Sequence, residues 1–267
     1  MRGEAAKAAA GRIAARSPLA FAFFTRVFER TLRGGFHALR MSGAAPPELM
    51  DARKLVIYAN HPSWWDGVAY VLLSKLLMPG RPVYTPIDAA MLRRYPFLAR
   101  IGAFAVEQTS ARGAADFLAA SRAALDLDAP LIVAAQGRFC DVRERPLRLR
   151  PGLAHLADKQ PDLVFLPLAL DYAFWNEKRP EMLVRFGPPL AARDLPPSPR
   201  ARLEALETRL TQTLDELSAA AISRDARRFT TLIDGAGGVN PLYDAWRRLK
   251  ALARGRAFSP EHGADEI

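Results

Sequence analysis

Between residues 54 and 190 short apolar runs alternate with stretches of helical period. LVIYA (55–59), PVYTP (82–86), FAV (104–106), PLIVAA (130–135), LVFLPLAL (163–170) and MLVRF (182–186) are short and apolar, and read as strands. Between them lie helical patterns over 67–77, 89–100, 113–126 and 151–159. Such alternation predicts an α/β fold, with a mostly buried sheet flanked by helices.

The flanks read differently. Arg26, Arg30, Arg33, His37 and Arg40 recur at steps of four and three, and Phe24, Phe28, Leu32, Phe36 and Leu39 do the same on another face. The pattern predicts an N-terminal amphipathic helix, interrupted by Gly34 and Gly35. It is either a surface helix packed on the core or an anchor lying in the plane of a membrane. After PPSPR, Ser198 is placed to cap a helix whose first turn holds Pro199. Leu203, Leu206, Leu210, Leu214 and Leu217 form its stripe. From residue 223 follow a turn, DGAGG, and a basic helical pattern around 241–254. The expected division is thus a membrane-associating segment (1–47), a central domain (48–222) and a basic tail (223–267).

Charge narrows the partners. The 267 residues carry 38 Lys and Arg against 28 Asp and Glu, a formal net charge of +10. That favours anionic partners, whether membrane surface, nucleic acid or phosphorylated substrates. No helix-turn-helix, zinc or RNA-binding signature accompanies the charge, so nucleic acid is not an expected partner. The single cysteine, Cys140, excludes a disulfide within the chain and suits a reducing compartment. The longest run without Asp, Glu, Lys or Arg covers residues 55–65, well under the roughly 20 apolar residues of a spanning helix. The N-terminus lacks the apolar core of a secretory signal. These features predict a cytoplasmic protein, either soluble or peripheral on the cytoplasmic face of the membrane. His37, His155 and His262 are scattered, so no metal site is expected.

The chemistry concentrates in Asn60-His61-Pro62-Ser63-Trp64-Trp65-Asp66-Gly67, directly after the first core strand. In α/β sheets ligands sit at the carboxyl ends of strands. Ser63 and Asp66 have capping-box spacing, and Pro62 keeps His61 extended. Asp66, in the first turn of the following helix, is placed to fold back on the imidazole. A carboxylate on one ring nitrogen fixes the tautomer and leaves the other as a general base. The alternative is a capping box beside a structural histidine.

The Asn-His-x4-Asp block resembles the signature of the glycerolipid acyltransferases, the lysophospholipid acyltransferase or PlsC-like superfamily. The resemblance covers residues 55–190 with landmarks in the expected order. Gly102-Ala103-Phe104-Ala105-Val106 resembles a second block, Ala135-Gln136-Gly137-Arg138 a third (usually Pro-Glu-Gly-Thr), Leu166-Pro167-Leu168 a fourth, and Phe186-Gly187-Pro188-Pro189-Leu190 the Gly-x-Pro ending. The resemblance implies an α/β acyltransferase domain with a mixed sheet, resting on a membrane lipid surface. It implies transfer of a fatty acyl group from acyl-CoA or acyl-carrier protein to a hydroxyl of a lysophospholipid or other lipid-like acceptor. There would be no acyl-enzyme, metal or bound organic cofactor. His61 would be the base and Asp66 its partner. Asn60, Gln136, Gly137, Arg138 and Gln108 would shape the substrate site, with backbone donors near Gly137 facing the oxyanion.

Two positions depart from the family pattern. Gln108 stands where an arginine usually holds the acceptor's phosphate, and Gln136 where a glutamate is usual. Both point away from lysophosphatidic acid toward a neutral or unusual acceptor, or toward a diverged lipid-binding relative without catalysis. Arg138, Arg143, Arg145, Arg148 and Arg150 follow the third block, either as a solvated basic loop or as a site for donor phosphates or anionic head groups. Trp64 and Trp65 are read as helix-face packing or as contacts to an acyl chain or membrane.

Overall fold

The computed structural model describes residues 13, 15–158 and 160–235. The elements run α1 (Pro18–Gly35), β1 (Ala38–Ser42), α2 (Glu48–Asp51), β2 (Lys54–Ala59), α3 (Asp66–Leu77), β3 (Thr85–Asp88), α4 (Ala89–Arg94), α5 (Phe97–Arg100) and β4 (Ala103–Val106). They continue with α6 (Ala111–Asp126), β5 (Leu131–Ala134), α7 (Gly152–His155), β6 (Leu163–Ala173), β7 (Glu181–Phe186), β8 (Leu190–Ala191), α8 (Pro199–Ile222) and β9 (Phe229–Asp234).

Seven strands form one mixed sheet in the order β5-β2-β6-β7-β1-β9, with β8 on β6. β2 is parallel to both β5 and β6, so three strands deliver their carboxyl ends to one edge. β7 runs antiparallel to β6, and β1 is parallel to β7. The smaller parallel pair, β3 and β4, adjoins β5 through a Tyr84–Leu131 bridge.

The strands that lead to one edge, β2, β5 and the first eight residues of β6, are apolar almost throughout and largely buried, as strands covered on both faces are. Val56 and Tyr58 of β2 pack in a cluster with Phe117 of α6 and Leu206, Leu210, Leu214 and Leu217 of α8. Leu55, Ile57 and Ala59 point the other way, into a cluster with Val68 and Leu72 of α3 and Leu32 of α1. The expected cap of α8 forms, Ser198 Oγ accepting the Ala201 N–H at 3.2 Å.

Several elements differ from the sequence reading. The N-terminal helix stops at Gly35 instead of running on to Arg40, because two glycines weaken its end and Phe36 is extended. His37 leads into β1 and Arg40 lies within it. The boundaries expected at 47/48 and 222/223 fall inside the fold, since β1 and β9 belong to the large sheet and pair with each other. Pro96 divides the helix expected over 89–100 into α4 and α5. The helix expected over 151–159 is the single turn α7, and the strand expected at 82–86 forms at Thr85–Asp88. The basic pattern at 241–254, His262 and most of DGAGG lie outside the described residues.

β1 enters the sheet with a buried charge cluster. Glu181, at the start of β7, takes His37 Nδ1 at 2.6 Å and Arg40 Nε at 3.0 Å. Arg40 Nη1 also reaches Thr231 Oγ1 of β9 at 2.5 Å, so the cluster joins three strands. The hydrogen bond to Glu181 raises the His37 pKa above its ordinary 6.5, against an opposing effect of burial. A raised pKa in the folded state gives stability that is complete below the ordinary value and is lost as pH rises through the raised one. Urea unfolding of the wild type should therefore weaken above pH 6.5 relative to His37→Gln, and parallel pH profiles would disprove the contribution.

Candidate functional site

The carboxyl ends of β2, β5 and β6 build the site. Asn60 continues β2 with its side chain. Its Nδ2 donates to the Leu170 carbonyl at 2.9 Å, and its Oδ1 accepts the Leu170 N–H at 2.8 Å. A buried amide thus replaces a strand backbone for one residue and fixes the exit of β2 against β6. Both polar ends are engaged, so Asn60 positions the loop and does not face substrate as expected.

The next residue is clamped from the other side. Gln136 Oε1 accepts the His61 N–H at 2.9 Å, while Gln136 Nε2 donates to the Leu147 carbonyl at 3.1 Å. The Cys140 N–H donates to the His61 carbonyl at 2.9 Å. The backbone of His61 is therefore held by the segment following β5 at both its N–H and its C=O. Gln136, assigned to substrate in the sequence reading, is a buried positioning residue.

Asp66, 0% exposed, opens α3 and folds back as expected. Its Oδ2 accepts from His61 Nδ1 at 2.6 Å and from the Ser63 N–H at 3.2 Å. Only half of the anticipated capping box forms, because Ser63 Oγ accepts from the Trp65 N–H instead. Asp66 Oδ1 accepts from the Tyr172 hydroxyl at 2.5 Å. Tyr172, at the end of β6, was not singled out in the sequence, and its signal there is a polar-tipped aromatic ending a long apolar strand. Burial first, and then the Asp66 charge and hydrogen bond, hold the Tyr172 phenol well above its ordinary range. It remains a donor at any working pH.

A carboxylate only accepts, so Nδ1 carries a ring proton, and in the neutral imidazole Nε2 is the nitrogen with the lone pair. The His61 side chain is 24% exposed, and its ring lies against Phe139 with centroids 4.4 Å apart. This is an oriented imidazole base at an open lip. Exposed aromatics follow each of the three strands: Trp64 after β2, Phe139 after β5 and Phe174 after β6. Trp65 instead turns inward against Phe36, centroids 4.8 Å apart.

The remaining expected residues divide. Gly137 has φ +64, and a Cβ there would lie 2.9 Å from Arg150 Nε, so glycine lets the Arg150 side chain cross the loop. The Gly137 N–H itself donates to Ala134 O at 3.1 Å, so this one amide is engaged within the loop. Arg138 is ion-paired with Glu144. Arg143 pairs with Asp141 at 2.7 Å and Arg145 with Asp215 at 2.7 Å. Among the described residues no carboxylate lies at ion-pair distance from Arg148 or Arg150. Gln108 is exposed between β4 and α6, and among the described residues no hydrogen bond joins it to the His61–Asp66 pair. No group of three or more His, Cys, Asp or Glu among the described residues forms a metal-binding set. No helix among them is long and apolar enough to cross a membrane. No family model matches the chain, and no curated protein matches it.

Proposed function

We propose that the chain is an acyltransferase moving a fatty acyl group from acyl-CoA or acyl-carrier protein to a hydroxyl of a lysophospholipid or other lipid-like acceptor. The observation that carries the reading is the buried Asp66 carboxylate 2.6 Å from His61 Nδ1, which leaves Nε2 as a base at the open ends of three parallel strands. His61 Nε2 takes the acceptor's hydroxyl proton as its oxygen attacks the thioester carbonyl. The tetrahedral adduct collapses, the C–S bond breaks, and the imidazolium returns its proton to the departing sulfur. Asp66 stabilises the imidazolium in between. Phe139 against the His61 ring and the exposed Trp64 and Phe174 suit an acyl chain, and Arg148 and Arg150, without an ion-pair partner among the described residues, suit a phosphate-bearing donor or head group.

The test incubates purified protein with acyl-CoA, or acylated carrier protein, and a lipid extract, and reads products by mass spectrometry. A new acylated lipid that the His61→Ala protein does not form supports the reading. No product with either donor overturns it and leaves a lipid-binding relative without catalysis.

We further propose that a lipid surface meets α1. The aromatic face packs inward, as in the first of the two readings of this helix: Phe24 stacks on Phe97 at 4.4 Å between centroids, and Leu32 is fully buried. A second stripe is free. Leu19 (84% exposed), Phe23 (60%) and Val27 lie one turn apart beside exposed Arg26 and Arg30, while Arg33 pairs with Glu29. Inserting each such apolar side chain is worth about 1.5–3 kcal/mol. Leu19→Glu with Phe23→Glu should weaken sedimentation with anionic vesicles at least about tenfold. Unchanged sedimentation would place membrane contact elsewhere.

A further inference from the structure

We propose that Tyr172 is a positioning residue acting through Asp66, its hydroxyl fixing the carboxylate plane and drawing charge off the carboxylate that faces His61 Nδ1. The kinetic part rests on the proposed function; the titration part does not.

The Asp66 carboxylate is enclosed and accepts three hydrogen bonds. His61 and Ser63 hold Oδ2, and among the described residues Tyr172 alone holds Oδ1. Each donor spreads the carboxylate charge and lowers its basicity. The Tyr172 bond is the shortest of the three, at 2.5 Å, and it comes from another element, 106 residues along the chain. It sets two things together. It fixes the carboxylate plane so that Oδ2 meets the imidazole, and it moderates how strongly the carboxylate favours the imidazolium. With that donor removed, the full charge would fall on His61, which would hold its proton to higher pH.

The other groups around the pair do not supply the missing bond. Tyr70, on α3, is a fully buried phenol raised first by burial and then by the Asp66 charge. Its hydroxyl has no hydrogen-bond partner among the described residues. Asp171, beside Tyr172 on β6, is raised by burial and is bonded to the Tyr172 N–H. From the segment after β5, Arg138 and Arg143 are paired with Glu144 and Asp141, and burial pushes up the Cys140 thiol. Phe36 flanks the Tyr172 ring with centroids 5.8 Å apart and carries no charge. Tyr172 and Tyr70 thus face the same carboxylate, but only Tyr172 donates to it.

The test compares wild type, Tyr172→Phe and Tyr70→Phe, each labelled at histidine, by NMR titration of His61. Tyr172→Phe should move the titration about half a pH unit or more upward. Tyr70→Phe, which removes an unbonded hydroxyl, should leave it in place. In the kinetic part, the acid limb of kcat/KM should rise by the same amount in Tyr172→Phe. A lower kcat with an unmoved limb would mark Tyr172 as merely structural. Should Tyr172→Phe not fold, 3-fluorotyrosine at 172, a stronger donor, should move the His61 titration downward. An unmoved titration, or movement opposite to either direction, overturns the proposal. A shifted titration in a protein without acyl transfer would retain the positioning role and reject only the catalytic reading.

Discussion

His61→Ala is expected to lower acyl transfer by about 10²–10⁴-fold, the usual contribution of a positioned general base. The loss should appear in kcat and kcat/KM alike, because the imidazole acts on a proton that moves only in the transition state. The fold should survive. The two backbone bonds at residue 61, from its N–H to Gln136 Oε1 and from the Cys140 N–H to its carbonyl, do not need the side chain. Asp66 would keep the Ser63 N–H and the Tyr172 hydroxyl as donors. Circular dichroism and the thermal midpoint should therefore stay near wild type while product formation collapses. Asp66→Asn should cost about as much, for a different reason. An amide can present N–H to Nδ1, which would move the ring proton to Nε2 and remove the base. Full activity in either variant would show that the reaction does not pass through this pair.

The His61–Asp66 pair was legible in the sequence because it is local. Five residues, a proline and a helix start bring the two side chains within reach of each other. The α/β class was legible for a related reason, since strands covered on both faces must be apolar throughout. What was hidden depends on pairing between distant segments. Tyr172 reaches Asp66 only because β6 lies parallel to β2 in a register that places Leu168 opposite Ala59. Asn60 and Gln136 read as substrate contacts because a polar residue at a strand end has two uses. Only the partners at Leu170 and Leu147 decide between them. His37 and Arg40 continued a helical spacing, and their common partner Glu181, 141 residues from Arg40, is what places them at β1 instead. The exposed stripe of α1 was masked in the same way. Helical period finds apolar faces but does not say which one the core will take.

Gln136→Glu should be the most destabilising single change among these site residues, although the resemblance makes glutamate the expected residue there. Gln136 is 3% exposed and uses both ends of its amide, accepting from His61 and donating to the Leu147 carbonyl at 3.1 Å. A glutamate keeps the first bond. In place of the second it sets a carboxylate oxygen against a carbonyl oxygen. The choice is then between a buried charge without a partner, which costs about 3–5 kcal/mol, and taking up a proton that can donate to Leu147. The proton raises the residue's pKa in the folded state above the ordinary glutamate value of about 4.3. The folded variant would then bind more protons than the unfolded chain, so its stability falls as pH rises above that value. Urea unfolding should show a small deficit against wild type near pH 4 and one of about 3 kcal/mol or more at pH 8. Activity should fall with it, since the same side chain holds the backbone that presents His61. Equal deficits at both pH values would mean that the new carboxylate does not meet the Leu147 carbonyl. The amide at 136 would then be replaceable, and its bond to the Leu147 carbonyl would not be what holds the clamp on His61.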